Sequence, residues 1–305
     1  MTKPTALYFT TVCAYPGNVA VVGGHLQSEG EDPTGTRIML INGGSWGVVG
    51  GVPQVVYSML IRIPPGDTRR RLIALGREGL VREFLPANAG TADVPITGTE
   101  QGYLAQLAEI DHALYACGVQ GQVYRRANGS WQAMDHGLRK KFDGLHVERR
   151  LRSIDGFSSK SIYVCGFEGE IWHWDGRKWS RIDSPTNMPL RSVLCAPDGI
   201  AYFCGAAGHL YALHSDGSWE DLSNPKVSKS TLQDMTLFKE RVYIAGDEQL
   251  LYLDGKTLKA VTSPQEGRFR AIAIDASDQR LWCVGEEDVF SFDGQAWTRH
   301  VCPQN

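Results

Sequence analysis

Three arginines and a glutamine occupy matching places in four segments of one pattern. Leu151-Arg152-Ser153-Ile154, Leu190-Arg191-Ser192-Val193, Leu232-Gln233-Asp234-Met235 and Phe269-Arg270-Ala271-Ile272 each put an apolar residue first and fourth and, second, a polar one. If the four are equivalent strands, Arg152, Arg191, Gln233 and Arg270 gather at one end of them. A guanidinium is a planar fork of donors that matches carboxylate or phosphate with two parallel hydrogen bonds. Arg139, Lys140, Lys141, Arg149 and Arg150 precede the first segment and are expected to enter from the same side. Asp247, Glu248, Glu286, Glu287 and Asp288 fall on turns of the later segments, so that face is expected to be basic on one side and acidic on the other. Such a division suits the steering of a charged protein partner. The competing reading is that the arginines are used up in salt bridges between neighbouring elements, for instance with Asp234.

Other chemistry is weakly represented. The sequence has no G-x-S-x-G elbow, no Walker loop and no G-x-G-x-x-G. The eight histidines are scattered; His209 and His214 lie five apart on one strand and point to opposite faces, which suits no shared metal. The seven cysteines include no C-x-x-C pair. Cys117, Cys165 and Cys204 each precede a recurring glycine where other copies carry Leu75, Ala245 and Val284, so they read as small buried thiols in a reducing compartment. Neither a cofactor nor a metal is expected.

Bringing residues 80 and 120 positions apart to one opening requires a repeat fold. Ile162 to Pro185 shows the unit: a strand of period two ending at Gly166, a turn, a second strand to Trp174, Asp175-Gly176, and a third strand opening at Trp179. Asp-Gly is a strong type I′ hairpin signal. The recurring glycine falls at Gly23, Gly76, Gly118, Gly166, Gly205, Gly246 and Gly285, at spacings between 39 and 53 residues. A period near 40 with four strands per unit marks a β-propeller. The expectation is an all-β, single seven-bladed propeller with four antiparallel strands per blade. Its blades run approximately over 6–53, 54–98, 99–135, 147–185, 186–225, 230–264 and 265–303, each complete within its own stretch. The second blade lacks both Asp-Gly and Trp and is the least regular. The last blade is expected to open with a strand over 269–274. Innermost strands line the central channel, which would set the arginines at its mouth. Trp46, Trp131, Trp179, Trp219 and Trp297 follow the hairpin turns. Glycan stacking is one use for them; wedging between blades is the plainer one.

Val164-Cys-Gly-Phe-Glu-Gly-Glu-Ile-Trp-His-Trp-Asp-Gly-Arg-Lys-Trp179 resembles bacterial propeller repeats of the form V-x-A-V-G-x-x-G-x-I-x-H-x-D-G-x-x-W, WD40- or BNR-like in architecture. Phe203 to Tyr211 and Val289 to Trp297 resemble it too. The likeness is good over roughly residues 100–302 and weak before them. Asp216 and Gly217 are adjacent, so the sialidase-type box Ser-x-Asp-x-Gly-x-x-Trp is not met. Repeats of this kind occur in surface, scaffolding and toxin-neutralising proteins. The resemblance implies a non-enzymatic interaction propeller, most specifically an immunity or partner protein occluding a toxin or effector through its charged loop face. A lectin-like propeller and a lyase or hydrolase with a site at the channel mouth are the alternatives.

The net charge of −3 gives no reason to expect nucleic acid, and no stretch approaches the roughly 20 apolar residues of a membrane helix. Nothing early in the chain looks like a signal peptide. A cytoplasmic location and a monomer when free are expected.

Overall fold

The computed structural model describes residues 6–29, 32–85, 89–98, 102–140, 149–262 and 269–304. Its strands, numbered β1 to β28 in chain order, form seven four-stranded antiparallel sheets, each made of consecutive strands. The innermost strands are β1 (Leu7–Tyr15), β5 (Val56–Arg62), β9 (Leu104–Ile110), β13 (Leu151–Ser158), β17 (Leu190–Cys195), β21 (Leu232–Phe238) and β25 (Ala273–Ala276). Each packs against the next around the ring, and β25 closes onto β1. Among the described residues no strand is exchanged between the first blade and the last. Closure rests on side chains of the first blade (Leu7, Phe9, Val22) packing with Trp282, Val284 and Val289 of the last. Phe9 N–H also donates to the Glu286 carbonyl at 2.8 Å.

The recurring glycine has a steric cause. A Cβ at Gly166 would lie 2.1 Å from the Arg150 carbonyl oxygen, at Gly205 2.2 Å from that of Pro189, and at Gly118 2.3 Å from that of Tyr103. In the third, fourth, fifth and seventh blades the second strand crosses the entry of the first too closely for any side chain, whereas at Gly246 the Thr231 carbonyl stands 3.7 Å away. Opposite that crossing the innermost strand carries a bulge: Leu151 pairs with Gly166 and Ser153 with Cys165, leaving Arg152 outside the register. The same irregularity leaves out Thr10, Tyr57, Ala105, Arg191 and Gln233. An unpaired bulge residue is free to turn its side chain out of the ladder.

Neighbouring innermost strands are laced by side chains to backbone. Ser58 Oγ accepts from Leu107 N–H at 3.0 Å, Gln106 Oε1 from Ile154 N–H at 2.6 Å, and Ser153 Oγ from Val193 N–H at 3.0 Å. Asp155, Asp234 and Asp275 do the same for Cys195, Ile274 and Ala14 at 2.7, 3.2 and 2.8 Å. The turn tryptophans lace the outside: Trp131, Trp179 and Trp219 donate their indole N–H to Val94, Met134 and Asp183 carbonyls of the preceding blade. Trp46 stacks on Phe9 and Trp297 on Phe292. Their placement is that of inter-blade wedges. All seven cysteines are free, six of them buried.

Three expectations are corrected. The Asp175-Gly176 hairpin is not type I′: Trp174 pairs with Trp179 across four residues, only Gly176 has positive φ, and the Asp175 carboxylate accepts from Arg177 and Lys178 N–H. The carboxylate caps a longer turn in place of a left-handed pair. Asn128-Gly129 does have both residues at positive φ. In the second blade the outer strand β8 spans Thr91–Asp93, not the 93–96 that the sequence suggests, and Asp93 pairs with Arg82 at 2.7 Å.

The last blade is shifted by two residues. Ala273, not Ala271, pairs with Val284, the residue before Gly285, so β25 begins later than the expected 269–274 strand. Ala271-Ile272-Ala273-Ile274 is therefore the equivalent of Leu151-Arg152-Ser153-Ile154. Two overlapping apolar-x-x-apolar frames exist here. Phe269 is buried edge-on against Phe290 and supplies the bulk beside the small Ala271.

Candidate functional site: the channel mouth

The central channel, about 570 Å3, is lined by side chains of the innermost strands, among them Tyr8, Tyr57, Arg152, Arg191, Gln233 and Arg270. Six of the seven blades present their bulge residue here: Thr10, Tyr57, Ala105, Arg152, Arg191 and Gln233, with Ile272 at the matching place in the seventh. Cations thus occupy two adjacent places in this ring, in the fourth and fifth blades. Thr10, Tyr57 and Ala105 were missed from sequence; the signal was there, as the residue between paired positions opposite each recurring glycine.

Arg270 reaches the mouth from a different place. The two-residue shift puts it before the bulge, equivalent to Arg150; both carbonyls crowd a recurring glycine. Its guanidinium is engaged: Nε donates to Asp247 at 3.3 Å and Nη1 pairs with Glu286. Asp247 also accepts from Gln233 Nε2 at 2.8 Å. Glu286 further holds the Tyr8 hydroxyl, which burial first and this carboxylate second push up to about 12.

Arg152 and Arg191 have no such partners. Among the described residues no carboxylate lies within ion-pair distance of either, and the Arg191 Nε is buried without a hydrogen-bond acceptor. Burial, then the neighbouring charge of Arg152, lowers the Arg191 pKa; Asp247 offsets part of this. The Arg191 guanidinium lies 5.3 Å from the centre of the Phe167 ring and that of Arg150 lies 5.5 Å from it. One aromatic ring, set on the turn after β14 (Ser161–Gly166), is shared by two cations. Asp234, expected as an arginine partner, instead accepts from Met235 and Ile274 N–H and from Ser192 Oγ.

Of the other expected cations, Arg139 and Arg149 are engaged away from the mouth. Arg139 is held by Asp135 and by Tyr124 at 2.8 Å. Arg149 is mostly buried, paired with Glu170 at 2.8 Å and laid over Trp172. Both are structural cations, a role that spacing could not distinguish from recognition. Lys140 is exposed and ties its backbone N–H to the Gln120 carbonyl at 2.8 Å. Lys141 lies outside the described residues. Glu287 accepts from Gln27 Nε2 at 2.7 Å and Asp288 from Arg299 Nε at 2.9 Å, so both serve blade-to-blade or within-blade contacts.

Among the described residues no group of His, Cys, Asp or Glu could hold a metal, and no helix is long and apolar enough to cross a membrane. Two carboxylates of the channel lining, Asp234 and Asp275, and Asp155 between the fourth and fifth blades are raised to about 6 by burial, but each is occupied with a backbone N–H group of the next blade.

Fold and site together define a seven-bladed propeller whose channel mouth holds two guanidiniums, Arg152 and Arg191, without a carboxylate partner among the described residues. Solved propellers superpose over nearly the whole chain. Virginiamycin B lyase from Staphylococcus aureus matches with a TM-score of 0.73 at 9% identity, over 95% of both chains. YCF48 bound to D1 peptide gives 0.68 at 14%, over 99% of this chain and 94% of that one. The WD40 domain of Doa1 gives 0.68 at 13%, over 97% and 93%. At such identities the likeness carries the fold and no chemistry. No family profile matches the chain. The immune protein Tsi7 of Pseudomonas aeruginosa is 34% identical over 267 residues, covering 84% of each chain. This protein belongs to the family of the immune protein Tsi7.

Proposed function

We propose that this propeller is a bacterial immunity protein that binds and neutralises a toxin, acting by occlusion and not by catalysis, with the channel-mouth face as its contact surface. The observation that carries the reading is the relationship to an immune protein along 84% of both chains. The site geometry supports it. The carboxylates of the channel lining, Asp234 and Asp275, are spent on lacing the blades, whereas two cations at its mouth have no carboxylate partner among the described residues. A binding surface needs unmet charge; a general acid or base needs a group free to exchange a proton with substrate. Binding in the cytoplasm by a monomer is part of the same reading.

The test is protection. Each candidate toxin encoded by a neighbouring gene is induced in a sensitive bacterium with and without this chain, and the purified pair is titrated by calorimetry. Survival with the chain, and a saturable 1:1 complex, are expected. Loss of survival despite soluble chain overturns the reading.

A further inference from the structure

We propose that Arg152 and Arg191 form a carboxylate pocket in the channel mouth, into which the partner toxin inserts one Asp or Glu side chain. This rests on the immunity reading above and names the contact at its centre. The bulges of β13 and β17 turn both side chains out of the ladder into the same channel, from adjacent blades. The acidic residues near the mouth are already committed to other groups: Asp247 and Glu286 to Arg270 and Gln233, Asp234 to backbone and Ser192. What is left is a pair of like charges, one of them with a buried Nε that lacks an acceptor. A buried donor without an acceptor, beside a like charge, is a standing cost that only an anion removes in full. Phe167 limits the freedom of the Arg191 guanidinium by stacking, which lowers the entropy lost when an anion docks. The channel's 570 Å3 has room for a side chain or a short stretch of loop, not for a folded element, so the partner must reach in with a protruding residue.

Two measurements test the pocket separately from the immunity reading. In the first, the purified chain is titrated with acetyl-Gly-Glu-Gly-amide while the arginine Nε–Hε signals are followed by NMR, with the Gln peptide and inorganic phosphate in parallel. Saturable shifts of Arg152 and Arg191 with the Glu peptide, at a dissociation constant on the order of 1 mM, and none with the Gln peptide, are expected. They should vanish in Arg152→Gln and in Arg191→Gln. Neither residue has an ion pair among the described residues, so these variants should melt no lower than the wild type, which shows that they fold. Saturable binding of phosphate but not of the Glu peptide overturns the carboxylate assignment, and binding of neither overturns the pocket. In the second, the double variant is compared with the wild type in the protection assay. Protection by the wild type and its loss in the double variant support the pocket. Equal protection by both overturns its role while the immunity reading survives. Failure of the wild type to protect overturns the immunity reading, and the proposal that rests on it, even if the peptide binds.

Discussion

The two halves of the channel mouth use the same residue type to opposite ends. In the sixth and seventh blades Arg270 sits between Asp247 and Glu286, and Asp247 also holds Gln233. That half is an internal network, one guanidinium held between two carboxylates, which fastens one blade to the next. In the fourth and fifth blades Arg152 and Arg191 face each other's charge without a carboxylate among the described residues. An arginine that has found its partner within the fold contributes to stability; one that has not is held at a cost and is available to another molecule. Position at the mouth does not separate the two cases. The second-to-third strand turns do: they offer Asp247 and Glu286 on one half, and Phe167 and Ala206 on the other.

The largest effect that tests this contrast should come from the backbone that aims the arginines. Gly166→Ala places a Cβ 2.1 Å from the Arg150 carbonyl, against the entry to the bulge, whereas Gly246→Ala on the paired half meets the Gln249 carbonyl at 2.9 Å. Urea unfolding should show a loss of about 3–4 kcal/mol for Gly166→Ala and about 1–2 kcal/mol for Gly246→Ala. Equal losses would remove the steric reason for the bulge.

Partner affinity comes next. Arg152→Glu with Arg191→Glu should weaken toxin binding on the order of 100-fold, about 2.7 kcal/mol, while Arg270→Gln should change it by less than about 5-fold. Similar losses at both places would mean that the whole rim, not its unpaired half, makes the contact.

The buried carboxylates give the third. Asp155 laces the unpaired half; Asp234 and Asp275 lace the paired half and the closing seam. Each is raised from the ordinary carboxylate value to about 6 by burial. Between pH 4 and 6 the folded state therefore holds more protons than the unfolded chain. Stability from these groups is fully present below pH 4 and is lost as pH rises through 6, by at most about 3 kcal/mol per carboxylate. Surface aspartates such as Asp93 and Asp254, lowered chiefly by hydrogen bonds from Arg82 and Lys259, act in the opposite direction. The measurement is thus a difference: unfolding of Asp155→Asn minus that of the wild type, followed from pH 4 to 7, should show the variant's deficit shrinking as pH rises. A deficit independent of pH would place the carboxylate in ordinary solvent.

The smallest effect concerns stability at the mouth itself. Arg152→Gln should raise stability by about 0.5 kcal/mol by relieving repulsion, and Arg270→Gln should lower it by about the same, both by chemical unfolding at low salt. Opposite signs are the signature of the contrast; a loss in both variants would show that Arg152 is matched after all.

Much of the scaffold was legible. The recurring glycine, the period near 40 and the alternation around Gly166 carry seven blades because each is a local requirement: a close crossing, a pleat, a turn. The Trp series could likewise be assigned to blade wedges, since a periodic position tied to a turn repeats its surroundings. Misreadings came where two local patterns fitted equally well. Asp175-Gly176 satisfied both a two-residue turn and a capped four-residue loop. Phe269-Arg270-Ala271-Ile272 and Ala271-Ile272-Ala273-Ile274 satisfied the same spacing, and pairing of Ala273 with Val284 chose between them.

By itself the order of residues determined that this chain closes a ring of four-stranded sheets and that polar side chains from distant segments meet at one opening. Such features follow from periodicity, which any single repeat contains. Only the folded ring decided which cations are neutralised. Arg139 and Arg149 found partners inside their own blades, Arg270 found them on adjoining turns, and Arg152 and Arg191 were left facing each other. Pairing of charges depends on distances across blade seams, and those distances exist only once the last sheet has packed against the first.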